Sequence, residues 1–126
     1  MDGLQFNLAE DAAQLAGAWL SSLKSGRRMA AKTLEAYGRD LRQFAQFLAG
    51  FLEGPATAAE LASLTAADFR SFLAQRRNEG VESRSLARQL SAIRSFFAFC
   101  EREGHFKNAG LSAVRSPKLP HSVPKP

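Results

Sequence analysis

Apolar residues recur along most of the chain at steps of three and four positions, and no segment keeps the strict alternation of a half-buried β-strand. This period predicts an all-α protein. A first helix is expected over residues 8–24, opened by a capping box in which Asn7 would pair with Glu10. A second, longer helix is expected over residues 30–52, because the Gly-Pro pair at 54–55 stops it.

The same capping pattern, a threonine followed three positions later by an acidic residue, occurs twice after the second helix. Thr57 with Glu60 predicts a short helical turn. Thr65 with Asp68 predicts the beginning of a third helix, which is expected to end near Gly80.

A fourth helix follows and is the most clearly amphipathic segment of the chain. Ser83 is its predicted N-cap and Gly104 its predicted end, and a final turn is expected within residues 108–114. These elements predict one all-α domain over residues 1–115, followed at 116–126 by a proline-rich linker toward a domain that this sequence does not contain. The predicted core stripe of the fourth helix consists of Leu86, Leu90, Ile93, Phe97 and Cys100.

Length and composition agree with one small domain. A chain of 126 residues can bury a core without disulfides or metal, and its single cysteine, Cys100, has no partner for an intramolecular disulfide. The chain carries neither a charged-then-apolar leader nor a long apolar run. We therefore expect a cytoplasmic protein that makes no contact with a membrane.

The charge balance points toward nucleic acid as a partner. Seventeen lysines and arginines stand against twelve acidic residues, which gives a formal net charge of +5. Most of the basic residues are arginines, whose planar guanidinium matches phosphate oxygens and guanine edges. A basic helix face that is merely solvated is the alternative, so the positions of these residues must decide.

The basic residues fall on one side of two helices. In the fourth helix they lie opposite the apolar stripe, and no acidic residue occurs between Ser83 and Cys100. The second helix repeats the arrangement, with Glu35 and Asp40 diluting its charge. The positions predicted to lie on or beside these two faces are Lys32, Thr33, Arg39, Arg42, Gln43, Arg84, Ser85, Arg88, Ser91, Arg94 and Ser95.

The sequence contains no motif for covalent chemistry. It has no glycine-rich phosphate loop, no nucleophile elbow and no histidines or cysteines at the spacing of metal ligands. Cys100 and Tyr37 both fall on core stripes, where packing is the expected role. We expect no catalytic residue, metal, cofactor or small-molecule ligand in this chain.

Two segments resemble the tyrosine site-specific recombinases. Residues 33–44, TLEAYGRDLRQF, follow the pattern T-x-x-x-Y-x-x-D-L-x-x-F of that family. Residues 83–97, SRSLARQLSAIRSFF, closely resemble the last long helix of its N-terminal core-binding domain. The resemblance runs from the first helix to the exit at 116–120, and it is greatest to the Xer type, with the XerC branch favoured over XerD.

The resemblance implies a compact four- to five-helix SAM-like bundle that forms half of a clamp around a recombination half-site of duplex DNA, with the second and fourth helices facing the major groove. It implies that a separate C-terminal domain cleaves the DNA through a 3′-phosphotyrosyl intermediate and that a XerD-like partner recombinase helps to resolve chromosome dimers. The DNA contacts implied by motif position are Lys32, Thr33, Ala36, Arg39, Arg84, Ser85, Arg88 and Gln89.

Two other interpretations stay open at this point. One is the DNA-binding domain of a phage- or transposon-type integrase. The other is a helical protein-interaction adaptor whose arginines meet an acidic partner. A helix-turn-helix regulator fits less well, because its two paired helices are usually joined by a turn of about 3 to 4 residues, and no such pair occurs here.

Overall fold

The computed structural model describes residues 6–26 and 29–118, and this part of the chain is all-α, as predicted. Its only β-type feature is an isolated bridge between Leu8 and Ala56. The predicted second, third and fourth helices correspond to α2, α4 and α5, and the short turn after α2 is α3. The elements are α1 (Glu10–Gly26), α2 (Ala31–Phe51), α3 (Ala58–Ser63), α4 (Ala66–Asn78), α5 (Ser83–Arg102) and a 3-10 turn (Leu111–Ala113).

The two longest helices, α2 and α5, pack against each other and form the centre of the bundle. The helix α1 packs on both of them, and α4 packs on α5 and on the 3-10 turn. Each helix therefore buries one face against a neighbour, as the three-to-four spacing of its apolar residues requires. The core stripe predicted for α5 is confirmed, since Leu86, Leu90, Ile93, Phe97 and Cys100 are all buried.

Aromatic rings fill the space between α2, α4 and α5. The ring of Phe44 stacks on Phe69 with centroids 5.7 Å apart and meets the edge of Phe72 at 5.1 Å. The edge of Phe97 lies against Phe69 at 5.5 Å. Pairs of this geometry contribute about 0.5–1.5 kcal/mol each beyond the area that they bury. This cluster holds the short helix α4 to the two long helices.

Both threonine capping boxes are confirmed. The Thr57 hydroxyl accepts a hydrogen bond from the Glu60 backbone N–H at 3.1 Å, and the Glu60 carboxylate accepts one from the Thr57 N–H at 3.0 Å. The same reciprocal pair joins Thr65 and Asp68. Because each box satisfies backbone donors that a helix start leaves free, two separate helices, α3 and α4, begin only eight residues apart.

The capping box predicted for Asn7 and Glu10 is wrong. The helix α1 begins at Glu10, and the Ala9 backbone N–H donates instead to the Ala56 carbonyl at 2.9 Å. The bridge between Leu8 and Ala56 draws the chain before α1 into an extended pairing, which displaces the helix start. A tertiary contact, invisible in the local pattern, therefore sets this boundary.

The predicted N-cap of α5 is also wrong. The N-cap is Glu82, which makes no side-chain cap hydrogen bond, and Ser83 is already the first residue of the helix. The Ser83 hydroxyl accepts a hydrogen bond from Arg77 Nη1 at 3.3 Å, so it links the end of α4 to the start of α5. Its oxygen serves the neighbouring helix rather than the backbone donors of its own.

The predicted final turn is confirmed as the 3-10 helix, and Asn108 organises it. The Asn108 amide nitrogen donates to the carbonyls of Leu61 and Leu64, each at 2.9 Å, while its oxygen accepts from the backbone N–H of Gly110. A Cβ at Gly110 would lie 2.8 Å from the backbone nitrogen of Ala66. Only glycine allows this close approach of the turn to the start of α4.

The chain that leaves the 3-10 turn stays attached to the bundle as far as Ser116. Arg70 of α4 donates to the Ala113 carbonyl at 3.2 Å, and Arg94 of α5 donates to the Val114 carbonyl and, at 2.9 Å, to the Ser116 hydroxyl. We call residues 113–116 the exit strap. Most of the predicted linker at 116–126 lies outside the described residues, so its boundary at 115 stays a prediction.

None of the described helices combines the length and apolar character needed to cross a bilayer.

Replacing Leu90 by alanine tests the core. Leu90 is fully buried in α5, so Leu90→Ala is expected to lower the free energy of unfolding by about 2–5 kcal/mol, because apolar burial is reduced and a cavity remains. Denaturant unfolding measures the change. The neighbouring exposed Ser91 supplies the control, because Ser91→Ala is expected to stay within about 0.5 kcal/mol. Equal effects of the two substitutions would contradict the assigned core.

The thiol of Cys100 supplies a second test. Burial raises the pKa of the Cys100 thiol to about 12, so the folded protein keeps it protonated at neutral and mildly alkaline pH. Unfolding restores the ordinary, lower pKa, and stability is therefore expected to fall as the pH rises through the interval between the two values. A thiol reagent is expected to react slowly at pH 8 and rapidly in denaturant. Rapid labelling of the folded chain would contradict the burial.

Candidate nucleic-acid interface

Exposed basic side chains lie on both central helices. Lys32 and Arg39 are exposed on α2, and Arg84 is exposed on the first turn of α5. In the part of the chain that the structure describes, none of these three side chains forms an ion pair with a carboxylate. Neither helix has an acidic residue in its first turn. The two hydroxyl residues Thr33 and Ser91 are exposed on the same two helices.

A buried ion pair joins the two helices that carry these cations. Arg88 of α5 donates from Nε to Oδ2 of Asp40 at 2.8 Å and from Nη2 to Oδ1 at 2.9 Å. The Asp40 side chain is 0% exposed, whereas the Arg88 side chain keeps 39% of its surface exposed. Hydrogen bonding to Asp40 raises the pKa of Arg88 above its already high ordinary value, so the guanidinium stays charged throughout the physiological range.

This pair corrects two expectations. The helical pattern predicts that Arg84 and Arg88 of α5 both point away from the bundle, which is correct for Arg84 and only half correct for Arg88. The same pattern counts Asp40 among the polar, and therefore exposed, charges of α2, whereas it is fully buried. A helical projection cannot show that an arginine from another helix makes burial of this carboxylate tolerable.

A second polar link lies one helical turn further along α2. The Gln89 amide donates to Gln43 Oε1, which also accepts from Arg76 Nη2 of α4 at 3.0 Å. Gln89 is only 1% exposed, so its amide is used inside the bundle. Sequence reasoning placed Gln43 and Gln89 at the interface and missed Arg76. Its position in the last turn of α4 was the available signal, but that position alone does not reveal a contact with α2.

Several other predicted interface residues serve the bundle itself. Ala36 is buried, and the Ser95 hydroxyl accepts a hydrogen bond from Trp19 Nε1 at 2.9 Å. The guanidinium of Arg94 holds the exit strap. Ser85 is half-buried near the start of α5. Among the predicted contacts, the exposed set is therefore Lys32, Thr33, Arg39, Arg84 and Ser91, with Arg42, Gln43, Ser85 and Arg88 half-exposed.

A cleft of about 680 Å³ opens between α2 and α4. Arg39, Arg42 and Arg76 line it together with aromatic residues. The ring of Phe51 is 48% exposed there and stacks on Phe47 with centroids 5.3 Å apart. Arg39 and Arg42 therefore bring positive charge from α2 into this cleft, whereas Arg76 is paired there with Glu79 at 2.8 Å.

The described residues contain no group of three or more histidine, cysteine, aspartate or glutamate side chains arranged to hold a metal ion. Tyr37, half-buried on α2, stacks on Trp19 with centroids 6.3 Å apart. This contact agrees with the packing role predicted for that side chain.

Several known proteins that are similar to this chain in sequence share one name. Three tyrosine recombinases XerC are each 50% identical to this chain: that of Rhizobium meliloti over 85% of the chain, that of Brucella suis over 86% and that of Methylobacterium nodulans over 94%. The chain covers 34%, 34% and 36% of these relatives, so it spans about a third of their length. No solved structure gives a significant match.

The match to a protein family covers most of the bundle. Residues 17–104, from the middle of α1 to just beyond the end of α5, match the family described as "Phage integrase, N-terminal SAM-like domain". The matched segment contains both central helices and the buried pair that joins them. An all-α bundle built around these helices is what the resemblance implied, and the chain belongs to the family of phage integrase N-terminal SAM-like domains.

Proposed function

We propose that this chain is the DNA-binding N-terminal part of a XerC-like tyrosine recombinase. In this role the bundle holds one half-site of duplex DNA while another part of the protein cuts and rejoins the strands. The proposal rests on the identity of about 50% to recombinases named XerC and on the charge of the two central helices. The substrate is therefore duplex DNA rather than a small molecule.

One observation carries the proposal: on two helices that pack directly against each other, exposed cations have no carboxylate partner within residues 6–26 and 29–118. Lys32 and Arg39 on α2 and Arg84 on α5 have no carboxylate partner among the described residues. DNA carries a dense row of phosphates, and binding it releases condensed counterions, which favours such side chains over their solvated state. Thr33 and Ser91 add hydroxyls that can donate to phosphate oxygens.

The proposal divides binding from covalent chemistry. The relatives are about three times as long as this chain, and we place the cleaving tyrosine in the part of the protein that corresponds to the rest of their length. The bundle would then supply no group to the covalent step and act by positioning DNA. We further propose a XerD-like partner recombinase, action on chromosome dimers and a cytoplasmic location.

The first prediction concerns salt. The logarithm of the affinity for duplex DNA is expected to fall linearly with the logarithm of salt concentration, with a slope of about −0.9 for each phosphate contacted. Fluorescence anisotropy with a labelled duplex at several salt concentrations measures the slope. A polyglutamate competitor tests for an adaptor that binds acidic proteins. Binding that is insensitive to salt, or displacement by polyglutamate as effective as by duplex, would contradict the proposal.

The second prediction concerns the exposed cations. Arg39→Ala combined with Arg84→Ala is expected to weaken binding and to make the salt slope less steep by about 1 for each phosphate that is no longer neutralised. Lys24→Ala combined with Lys107→Ala is the matched control, because it removes the same number of exposed positive charges outside the candidate interface. Equal weakening in the two double variants would mean that only net charge matters and would reject this interface.

A variant that removes Arg88 alone is unsuitable for this test. Without its guanidinium, the Asp40 carboxylate would stay buried and unpaired, which typically costs about 3–5 kcal/mol of stability. Weaker binding by such a variant would then report unfolding as readily as the removal of a DNA-binding group.

A further inference from the structure

The ion pair between Arg88 and Asp40 lies among free cations, yet it carries no net charge. Arg88 follows Arg84 by one helical turn on the same side of α5, and Asp40 follows the exposed Arg39 directly in α2. A carboxylate only 2.8 Å from the guanidinium cancels most of its attraction for a distant phosphate. Arg88 is therefore poorly suited to add electrostatic attraction, and its partial exposure needs another explanation.

The hydrogen bonds to Asp40 use only one edge of the guanidinium. Nε and one hydrogen of Nη2 point at the carboxylate. The second edge, formed by Nη1 and the remaining hydrogen of Nη2, keeps two parallel N–H donors. No described residue accepts a hydrogen bond from this edge, and 39% of the side chain is exposed. Arg88 thus presents two free N–H donors, and the hydrogen bonds to Asp40 on its other edge set their direction.

Two links between α2 and α5 make that direction rigid. Asp40 is immobilised in the core, and three residues further along α2 the Gln43 amide oxygen accepts a hydrogen bond from Gln89, the neighbour of Arg88. Rotation of Arg88 would break two charged hydrogen bonds and leave a buried carboxylate without a partner. The free arginines on either side, Arg39 and Arg84, have no such restraint within the described chain.

We propose that Asp40 is a positioning residue that holds the free edge of Arg88 toward two neighbouring acceptors on a DNA base, such as O6 and N7 of guanine. This inference rests on the proposed function and adds to it the residue that reads sequence. A planar fork with two donors matches that pair of acceptors, and the match requires a defined orientation. Phosphates are served better by the free cations, which keep their full charge.

The experiment separates recognition of the base sequence from electrostatic attraction to the phosphates. Selection from randomised duplexes by the wild-type chain supplies a preferred duplex, and a shuffled duplex of the same composition serves as the reference. The key variant is Asp40→Asn combined with Arg88→Gln, because it removes one negative and one positive charge and leaves the net charge unchanged. Arg84→Gln is the matched control for a free cation. Circular dichroism and thermal unfolding establish that each variant is folded.

The double variant is expected to lose preference for the selected duplex by roughly 10- to 100-fold, at one or two adjacent base pairs, with an unchanged salt slope. Arg84→Gln is expected to lower the affinity for both duplexes alike and to make the salt slope of binding less steep by about 1. A folded double variant that keeps the full preference overturns the inference. A folded double variant that binds both duplexes with equally reduced affinity also overturns the inference, because that result would mean that Arg88 contacts a phosphate.

A second variant keeps the test decisive if the double variant does not fold. Arg88→Lys retains a positive partner for Asp40 but has no second planar edge, so it is expected to lose preference while remaining folded. Retention of preference by Arg88→Lys overturns the inference. A wild-type chain that binds selected and shuffled duplexes equally overturns this inference alone. A wild-type chain that binds no duplex overturns the proposed function as well.

Discussion

The burial of one carboxylate constrains the rest of this bundle. Asp40 of α2 lies with no exposed surface against α5, and burial of a carboxylate is costly unless hydrogen-bond donors satisfy its oxygens. Arg88 does so, and this requirement sets the distance and register of the two longest helices. The paired hydrogen bonds add a directional contact to the apolar packing around them.

The remaining architecture supports this central pair of helices. The aromatic cluster of Phe44, Phe69 and Phe72 binds α4 to α2, and the reciprocal caps at Thr57 and Thr65 let two helices start within a short connection. Non-directional packing thus supplies most of the stability, while a few directional contacts select one arrangement. The backbone positions from which the exposed cations of α2 and α5 extend are fixed relative to each other because the two helices are, although the side chains themselves are free to rotate.

The sequence predicted the helices, the core stripe of α5 and the threonine caps, because each is written in residues three or four positions apart. It failed at Asn7, where the chain before α1 pairs with the distant residue Ala56, and at Ser83, where the helix begins one residue earlier than the predicted cap allows. It also failed at Asp40, since polarity alone implies exposure until the partner from α5 is known. The contact of Arg76 with Gln43 was not predicted either, because it also joins polar groups of two different helices. The errors concentrate where polar groups meet across helices, which no periodicity encodes.

The exit strap has a mechanical consequence. The reach of a tether depends on how many of its residues are free to rotate, and a fixed starting direction shortens the range of positions that its far end visits. Arg94 is part of α5 itself, and its guanidinium binds the Val114 carbonyl and the Ser116 hydroxyl, so the exit strap is coupled to the motion of that helix. Any rotation of α5 therefore carries the exit strap with it, so residues 113–116 leave the bundle in a direction that this helix sets.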